Sequence, residues 1–165
     1  MVIKLNSYIL PENIVDKMKT KIEETREKKI ELGFGLCRMR NTNIIRPGKD
    51  CTGTECALTQ IKECPSGLYI GGYHTHPRTG TKPSIADLAV AYYDDVGCIG
   101  SVKENDIKCI VRTGPIIQQG KQEINDALEN IEELLPAVVS KEEFQKWDNT
   151  RDDLINKYFK VVEVK

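Results

Sequence analysis

One segment limits what this chain can fold into more than any other. A strand-like run, Leu68 to Thr75, ends within the sequence His74-Thr75-His76-Pro77. After a gap of six residues the chain continues with Ser84-Ile85-Ala86-Asp87. The run predicts a β-strand, and Pro77 ends strand pairing because proline has no amide hydrogen to donate. Ser84 with an acidic residue three positions later matches the capping box with which helices begin. The segment therefore predicts a strand, a turn-rich loop at 77–83 and a helix from Ser84 to about Tyr93.

Strand and helix patterns are mixed along the rest of the chain. Ile14, Met18 and Ile22 recur every four residues behind Pro11, which predicts an amphipathic helix to about Lys28. Two further helices are predicted, at 121–135, where Pro136 ends the helix, and at 141–156. Residues 46–67 are rich in Pro, Gly and Thr and predict a long loop. Strands are predicted at 2–9, 30–39, 96–102, 107–113 and 158–164. We therefore expect an α+β (mixed α/β) fold, with a single mixed β-sheet flanked by helices. The 165 residues fit one domain, 1–165, in which the role of the C-terminal helices and strand at about 115–165 stays undefined.

Composition and charge narrow the class of partner. The chain has 24 Lys and Arg against 25 Asp and Glu, so we expect neither nucleic acid nor an anionic membrane as its partner. No apolar stretch approaches the length of a membrane span, and the N-terminal residues lack the pattern of a signal peptide. These observations predict a cytoplasmic protein, and they leave its oligomeric state unknown.

The six cysteines are predicted to be thiols. Cys51, Cys56 and Cys64 lie together in the long loop, and without a C-x-x-C pair they make a poor zinc knuckle. The other three lie in strand-like apolar surroundings, where a free cysteine behaves as a small buried hydrophobe. A cytoplasm keeps thiols reduced unless the source is a hyperthermophile, and the Lys, Glu and Ile usage is compatible with such a source.

His74, His76 and Asp87 together suit a metal ion. If the strand persists through the histidines, both imidazoles project from one face, because side chains alternate along a strand. Two imidazoles and one carboxylate are typical zinc ligands, and three protein ligands leave a fourth tetrahedral position for water. Zinc lowers the pKa of such a water to about 7. Taken alone, Ser84 and Asp87 would be only a helix cap, and the two interpretations are compatible because a helix start fixes where both side chains point.

The combined pattern resembles the signature of the JAMM (MPN-plus) zinc metallopeptidases, in the form of the prokaryotic JAB domain. The resemblance is carried by His-x-His-Pro, the gap of six residues, Ser-x-x-Asp, the lead-in Ile70-Gly71-Gly72-Tyr73, and upstream Glu31-Leu32-Gly33-Phe34-Gly35-Leu36. It spans about Glu31 to Gly114, roughly half of the chain. The resemblance implies the MPN/JAB (cytidine-deaminase-like) fold, in which a mixed sheet lies between helices.

The resemblance also implies a role for each site residue. His74, His76 and Asp87 would hold one Zn²⁺ with a bound water, Glu31 would act as general base and then protonate the leaving amine, and Ser84 would donate a hydrogen bond to the oxyanion. Family members typically cut isopeptide bonds after the C-terminal glycine of ubiquitin or ubiquitin-like proteins. A segment between the two strands, here 46–67, helps family members to grip that partner.

Several alternatives stay open at the level of sequence. The substrate could instead be a sulfur-carrier protein or another peptide, or the domain could be a non-catalytic MPN-type scaffold, although inactive relatives typically lack part of the metal motif that this chain keeps. A zinc nucleobase deaminase would need a Pro-Cys-x-x-Cys element, which this sequence lacks. Glu31 follows two lysines and could be a surface charge, with Glu24 and Glu27 on the preceding helix as weaker candidates for the base.

Overall fold

A six-stranded mixed sheet with helices on both faces forms the centre of the molecule. The computed structural model describes residues 2–57, 64, 67–135 and 138–165. Within these residues the helices are α1 (Glu12–Lys28), α2 (Ile85–Asp94), α3 (Gln118–Ala127) and α4 (Lys141–Tyr158). The strands are β1 (Ile3–Leu5), β2 (Tyr8–Leu10), β3 (Leu32–Met39), β4 (Ile45–Thr52), β5 (Gly67–His76), β6 (Val96–Ser101), β7 (Asp106–Arg112) and β8 (Phe159–Glu163).

The sheet has the strand order β4-β3-β5-β6-β7-β8, and β1 and β2 form a separate hairpin. Its described strand pairs are antiparallel except β5 with β6, which run parallel and are joined by α2. Parallel neighbours need such a crossover, because the chain must return to the starting end of the sheet. The expected α+β class, with a mixed sheet flanked by helices, is therefore confirmed, whereas the expectation of a single sheet is wrong because the β1–β2 hairpin forms a second one.

Two apolar clusters hold the layers together, one on each face of the sheet. On the first face the β1–β2 hairpin and the predicted α1 positions Ile14, Met18 and Ile22 pack against Phe34 and Tyr73 of the sheet. On the second face α2, α3 and α4 pack together against the sheet, with Ile85, Leu88, Tyr92, Ile124 and Leu154 buried between them. The C-terminal region thus contributes to the core. None of the described helices is long and apolar enough to cross a membrane.

Two secondary-structure predictions, for residues 2–9 and 46–67, are wrong. The single strand predicted at 2–9 is a hairpin, because the chain turns at Asn6, whose φ of 58° lies in the left-handed region that Asn tolerates. The loop predicted to begin at Arg46 is β4, which pairs with β3 as an edge strand. Only Ile45 and Cys51 of β4 are buried, so its sequence lacks the apolar alternation that identifies a half-buried strand. Positions 58–63, 65 and 66 of that predicted loop lie outside the described residues.

The predicted free thiols are also wrong, because the six cysteines form three disulfides. These bonds join Cys37 to Cys64, Cys51 to Cys56, and Cys98 to Cys109. The last pair lies directly opposite in the β6–β7 register, which brings two distant apolar positions within bonding reach. The Cys98–Cys109 proximity comes from strand register, which the spacing of cysteines in the sequence does not reveal.

The C-terminal helices differ from prediction mainly at one turn. The helix predicted at 121–135 begins three residues earlier as α3 and continues into a π-helical turn, Leu128–Glu132. The predicted stop at Pro136 lies outside the described residues. The last helix, predicted at 141–156, is confirmed as α4, and the terminal strand is confirmed as β8, which pairs with β7 at the edge of the sheet.

Candidate metal centre

The two histidines lie at the carboxyl end of β5, where α2 begins. Tyr73 and Thr75 face α1, since Tyr73 belongs to the first apolar cluster and Thr75 is hydrogen-bonded to Thr25 of α1. His74 and His76 therefore project from the opposite face, towards α2, as alternation along a strand requires. The predicted strand, loop and capped helix are all confirmed here, and together they bring the histidines to the start of the helix that carries Asp87.

The ligating atoms of His74, His76 and Asp87 lie close enough to share one ion. Each of these residues offers an atom within 4.8 Å of the other two. The two Nε2 atoms are 3.1 Å apart, and His74 Nε2 is 3.6 Å from Asp87 Oδ1. Ligands about 2.0–2.1 Å from one tetrahedral ion are separated by roughly 3.3 Å, so these spacings fit zinc. The site also retains solvent access, because the side chains of His74 and Asp87 are 18% and 26% exposed.

The orientation of His76 is fixed by the loop that follows it. Its Nδ1 lies 2.8 Å from the carbonyl oxygen of Gly80. Since a carbonyl can only accept, this nitrogen carries the proton, and Nε2 presents a lone pair to a metal. Glu104 and Ser101 hold the loop in turn: the Glu104 carboxylate accepts from the amide of Thr81, and the Ser101 hydroxyl donates to the carbonyl of Thr79. Sequence reasoning did not find this support, because a backbone carbonyl leaves no signal in the residue types.

Ser84 and Asp87 form the predicted capping box, in which the two carboxylate oxygens of Asp87 have different partners. Oδ2 accepts from the amide of Ser84 at 3.0 Å, while Oδ1 is the oxygen that approaches His74. The hydroxyl oxygen of Ser84 accepts from the amide of Asp87 at 3.0 Å. That hydroxyl has no acceptor among the described residues, so its hydrogen can point to a ligand. The Asp87 carboxylate can therefore cap the helix through Oδ2 and still offer Oδ1 to a metal ion.

Glu31 lies beside this group, immediately before β3. Its Oε1 is 3.9 Å from His74 Nε2, and Gly33 pairs directly with His74 across the β3–β5 ladder. Burial, and secondarily the charge of Asp87, raise the pKa of Glu31 to about 7. A carboxyl that titrates near neutral pH can both accept and return a proton. Glu27, on the last turn of α1, is exposed, and among the described residues Glu31 is the glutamate that forms a contact with His74.

A buried hydroxyl fixes Glu31 relative to the histidines. Thr75 Oγ1 accepts from the amide of Leu32 at 3.0 Å and donates to the carbonyl of Leu32 at 3.2 Å. Its third partner is the hydroxyl of Thr25, 2.6 Å away. Thr75 is fully buried, so these partners replace water completely. One residue between the two histidines thus anchors the backbone next to Glu31, a role that the sequence pattern did not reveal.

Electrostatics favour a neutral imidazole at His74. Burial lowers the pKa of His74, the nearby Asp87 carboxylate raises it, and His76 lowers it. Burial has the largest effect, so His74 is held in the form that ligates metals. The site therefore combines two metal-competent imidazoles, one carboxylate oxygen, one carboxyl titrating near neutral pH and one hydroxyl donor. This set of groups suits hydrolysis by a metal-activated water.

Comparison with known proteins adds no assignment: the chain matches no family model and no curated protein. Any functional assignment therefore depends on the site.

Proposed function

We propose that this protein is a zinc-dependent metallopeptidase of the JAMM type that hydrolyses an isopeptide or peptide bond. The observation that carries the proposal is the position of Glu31, 3.9 Å from a ligand atom of the three-residue cluster His74, His76 and Asp87. Three ligands with a carboxyl beside them are the arrangement of a catalytic zinc site, whereas structural zinc sites are closed by a fourth protein ligand. The MPN/JAB fold is part of the proposal, supported by the mixed sheet with helices on both faces.

Each side chain has a distinct role in the proposed reaction. His74, His76 and Asp87 hold Zn²⁺, which when bound lowers the pKa of a water ligand and polarises the scissile carbonyl. Glu31 accepts the proton of the attacking water and transfers it to the amine that leaves. Ser84 donates its hydroxyl hydrogen to the oxygen of the tetrahedral carbon, where negative charge develops. Without a metal, burial and Asp87 raise the pKa of Glu31 to about 7, which offsets part of the lowering that a bound cation would cause.

The proposed substrate is the C-terminus of a ubiquitin-like protein joined to a lysine or to a peptide, with a sulfur-carrier protein as the alternative. The segment 46–67 is the proposed contact with that partner, because it connects β3 to the strand that carries the histidines. Its first part is β4, an edge strand with mostly exposed side chains, and it continues into a short helical turn, Gly53–Ala57. Deleting the centre of this segment should raise KM on a ubiquitin-like conjugate, and an unchanged KM would contradict the contact.

The decisive experiment measures zinc and hydrolysis on the same samples. Zinc content by elemental analysis should be about one per chain in wild type and in Glu31→Gln, and should be lost in His76→Ala and Asp87→Ala. Cleavage of linear and lysine-branched ubiquitin-like conjugates should occur only in wild type and should stop on chelation. Glu31→Gln is the informative variant, because it spares the ligands while removing the base.

Three outcomes separate the alternatives. Full zinc retention in Asp87→Ala would show that the ligand assignment is wrong. Zinc in wild type without cleavage of either conjugate would favour another substrate, such as a sulfur-carrier protein. No zinc after reconstitution would favour a non-catalytic scaffold of the same fold.

A cytoplasmic location is also a proposal, and the three disulfides restrict it. Cytoplasmic thiols are normally kept reduced, with hyperthermophiles as the exception. Alkylation of thiols at the moment of lysis, followed by mass spectrometry, measures how many of the six cysteines are bonded in the cell. Fully alkylated cysteines in native lysate would contradict the disulfides, and fully protected cysteines would limit the location to a disulfide-tolerant compartment.

A further inference from the structure

The four backbone amides at the start of α2, those of residues 84–87, all donate to side chains. Two of the four donate to Glu132, which is distant in sequence. The amides of Ser84 and Asp87 are taken by the capping box. The two amides between them, of Ile85 and Ala86, donate to the carboxylate of Glu132 at 2.7 and 2.8 Å. A helix start leaves such amides without partners inside the helix, so Glu132 completes the cap from another part of the chain.

Glu132 is held in this position from the C-terminal helices. It is the last residue of the π-helical turn after α3, and its Oε1 also accepts from Trp147 Nε1 of α4 at 3.0 Å. π-helical turns are rare and are frequently found at functional sites. The two helices of the C-terminal region therefore converge on the first turn of α2.

This arrangement bears directly on Asp87. A carboxylate at the third position of a helix can accept from several amides of the first turn. With the Ile85 and Ala86 amides occupied by Glu132, Asp87 binds only the Ser84 amide through Oδ2 and keeps Oδ1 directed to His74. Without Glu132, two unpaired donors would compete for that second oxygen.

The charge of Glu132 acts in the same direction. The start of a helix carries a partial positive charge of about half an elementary charge, which disfavours a nearby divalent cation. A second carboxylate at this end offsets the partial charge and so reduces its repulsion of a cation held by Asp87.

We propose that Glu132 is a positioning residue for the metal centre: by occupying the Ile85 and Ala86 amides it keeps Asp87 Oδ1 available as a ligand. The inference rests on the proposed function, and it gives the C-terminal helices a role in the site. The partners that Glu132 has among the described residues are two α2 amides and Trp147, with no hydrogen bond to His74, His76 or Asp87, so its effect would pass through the backbone of α2.

The test compares metal affinity in the full chain among matched variants. Glu132→Ala should weaken Zn²⁺ binding by about tenfold or more, the effect typical of residues that orient a ligand. Glu132→Gln keeps one acceptor oxygen and should lie between Glu132→Ala and wild type. Glu123→Gln is the control, because Glu123 joins α3 to α4 through Lys157 and Tyr158 and accepts from none of the four amides at the start of α2. Its Zn²⁺ affinity should stay within about twofold of wild type.

Replacement of zinc by Co²⁺ gives a second measurement that a general loss of stability would not change. The visible absorption of bound Co²⁺ reports its coordination geometry, so at saturating Co²⁺ the Glu132→Ala spectrum should lose intensity while the Glu123→Gln spectrum matches wild type. Circular dichroism verifies that each variant is folded, and if Glu132→Ala is not, Glu132→Gln decides the question alone.

The outcomes distinguish this inference from the proposed function. Wild-type affinity and spectrum in both Glu132 variants would overturn the positioning role while leaving the metal centre intact. Equal weakening in the Glu123 and Glu132 variants would overturn it as well, since the effect would then come from the helix pair as a whole. A wild-type chain that binds neither ion would instead refute the metal centre itself.

Discussion

Replacing Glu31 with glutamine should stabilise the metal-free protein at alkaline pH. The pKa of Glu31 is raised from 4.5 to about 7, first by burial and then by the charge of Asp87. A carboxyl with a raised pKa in the folded state contributes stability below its unfolded pKa, and this contribution is lost as the pH rises through the folded value. Above about pH 7 the folded protein therefore carries an ionised Glu31 at a cost that glutamine avoids.

The magnitude follows from the size of the pKa change. At about 1.4 kcal/mol per pKa unit, a rise from 4.5 to about 7 corresponds to roughly 3 kcal/mol. The side chain is 31% exposed, so solvent screening reduces the effect, and we expect about 1–2 kcal/mol. The variant should gain this amount at pH 8.5 and nothing at pH 4.5, where the wild-type carboxyl is protonated in the folded state.

Urea unfolding of chelator-treated protein, followed by circular dichroism, provides the assay. Glu27→Gln is the matched control, because it removes one carboxylate from an exposed position near the end of α1. The control should differ from wild type by less than about 0.5 kcal/mol at both pH values. A Glu31→Gln variant with the same free energy of unfolding as wild type at pH 8.5 would refute the argument that burial near Asp87 makes this charge costly.

Three further predictions concern the framework of the site. Thr75→Val keeps the side-chain shape but leaves the buried backbone groups of Leu32 and the Thr25 hydroxyl without their partner, so urea unfolding should show a loss of about 2–3 kcal/mol. A loss below about 0.5 kcal/mol, which is roughly the scatter of neutral substitutions, would contradict the role of this hydroxyl. Gly80→Ala would place a Cβ against Glu104 Oε1, so the Glu104 side chain should move away and release the Thr81 amide. The loop that orients His76 would then lose this support, and zinc affinity should fall by about tenfold in a competition titration. Gly114→Ala, whose added Cβ has no described atom within 4 Å, is its control and should bind zinc like wild type. Zinc at about 100 times its dissociation constant should raise the free energy of unfolding by about 2.7 kcal/mol, and an unchanged value would argue against binding to the folded state.

Local patterns predicted much of this structure, and contacts between distant segments account for the rest. The amphipathic period of α1 and the capping box of α2 depend on residues within one or two turns, so both elements could be identified from sequence. The edge strand β4 could not, because its exposed charged residues follow no alternation and its strand character comes from pairing with β3.

For the candidate site too, local patterns predicted some residues, while others are brought in by contacts between distant segments. The grouping of His74, His76 and Asp87 was predictable because a strand, a short loop and a capped helix determine it locally. Glu31 was inferred only from the family pattern, and the structure brings it to the cluster through the β3–β5 register. Glu132 acts on amides 46 and 47 residues away, a separation at which sequence patterns indicate no contact. The disulfides were mispredicted because the thiols were inferred from an expected cytoplasmic location, and the opposition of Cys98 and Cys109 depends on the β6–β7 register, which the sequence does not show.

The position of β8 has a practical consequence for truncating or tagging the chain. The half that carries the recognisable motif ends before α3, yet β8 forms the sheet edge beside β7, and Val164 is buried in the same apolar cluster as α1. A fragment ending near Gly114 would uncover the whole length of β7 and invite strand-to-strand association between copies. A tag inserted just after β8 would lie next to the buried Val164, so a flexible spacer belongs at such a junction.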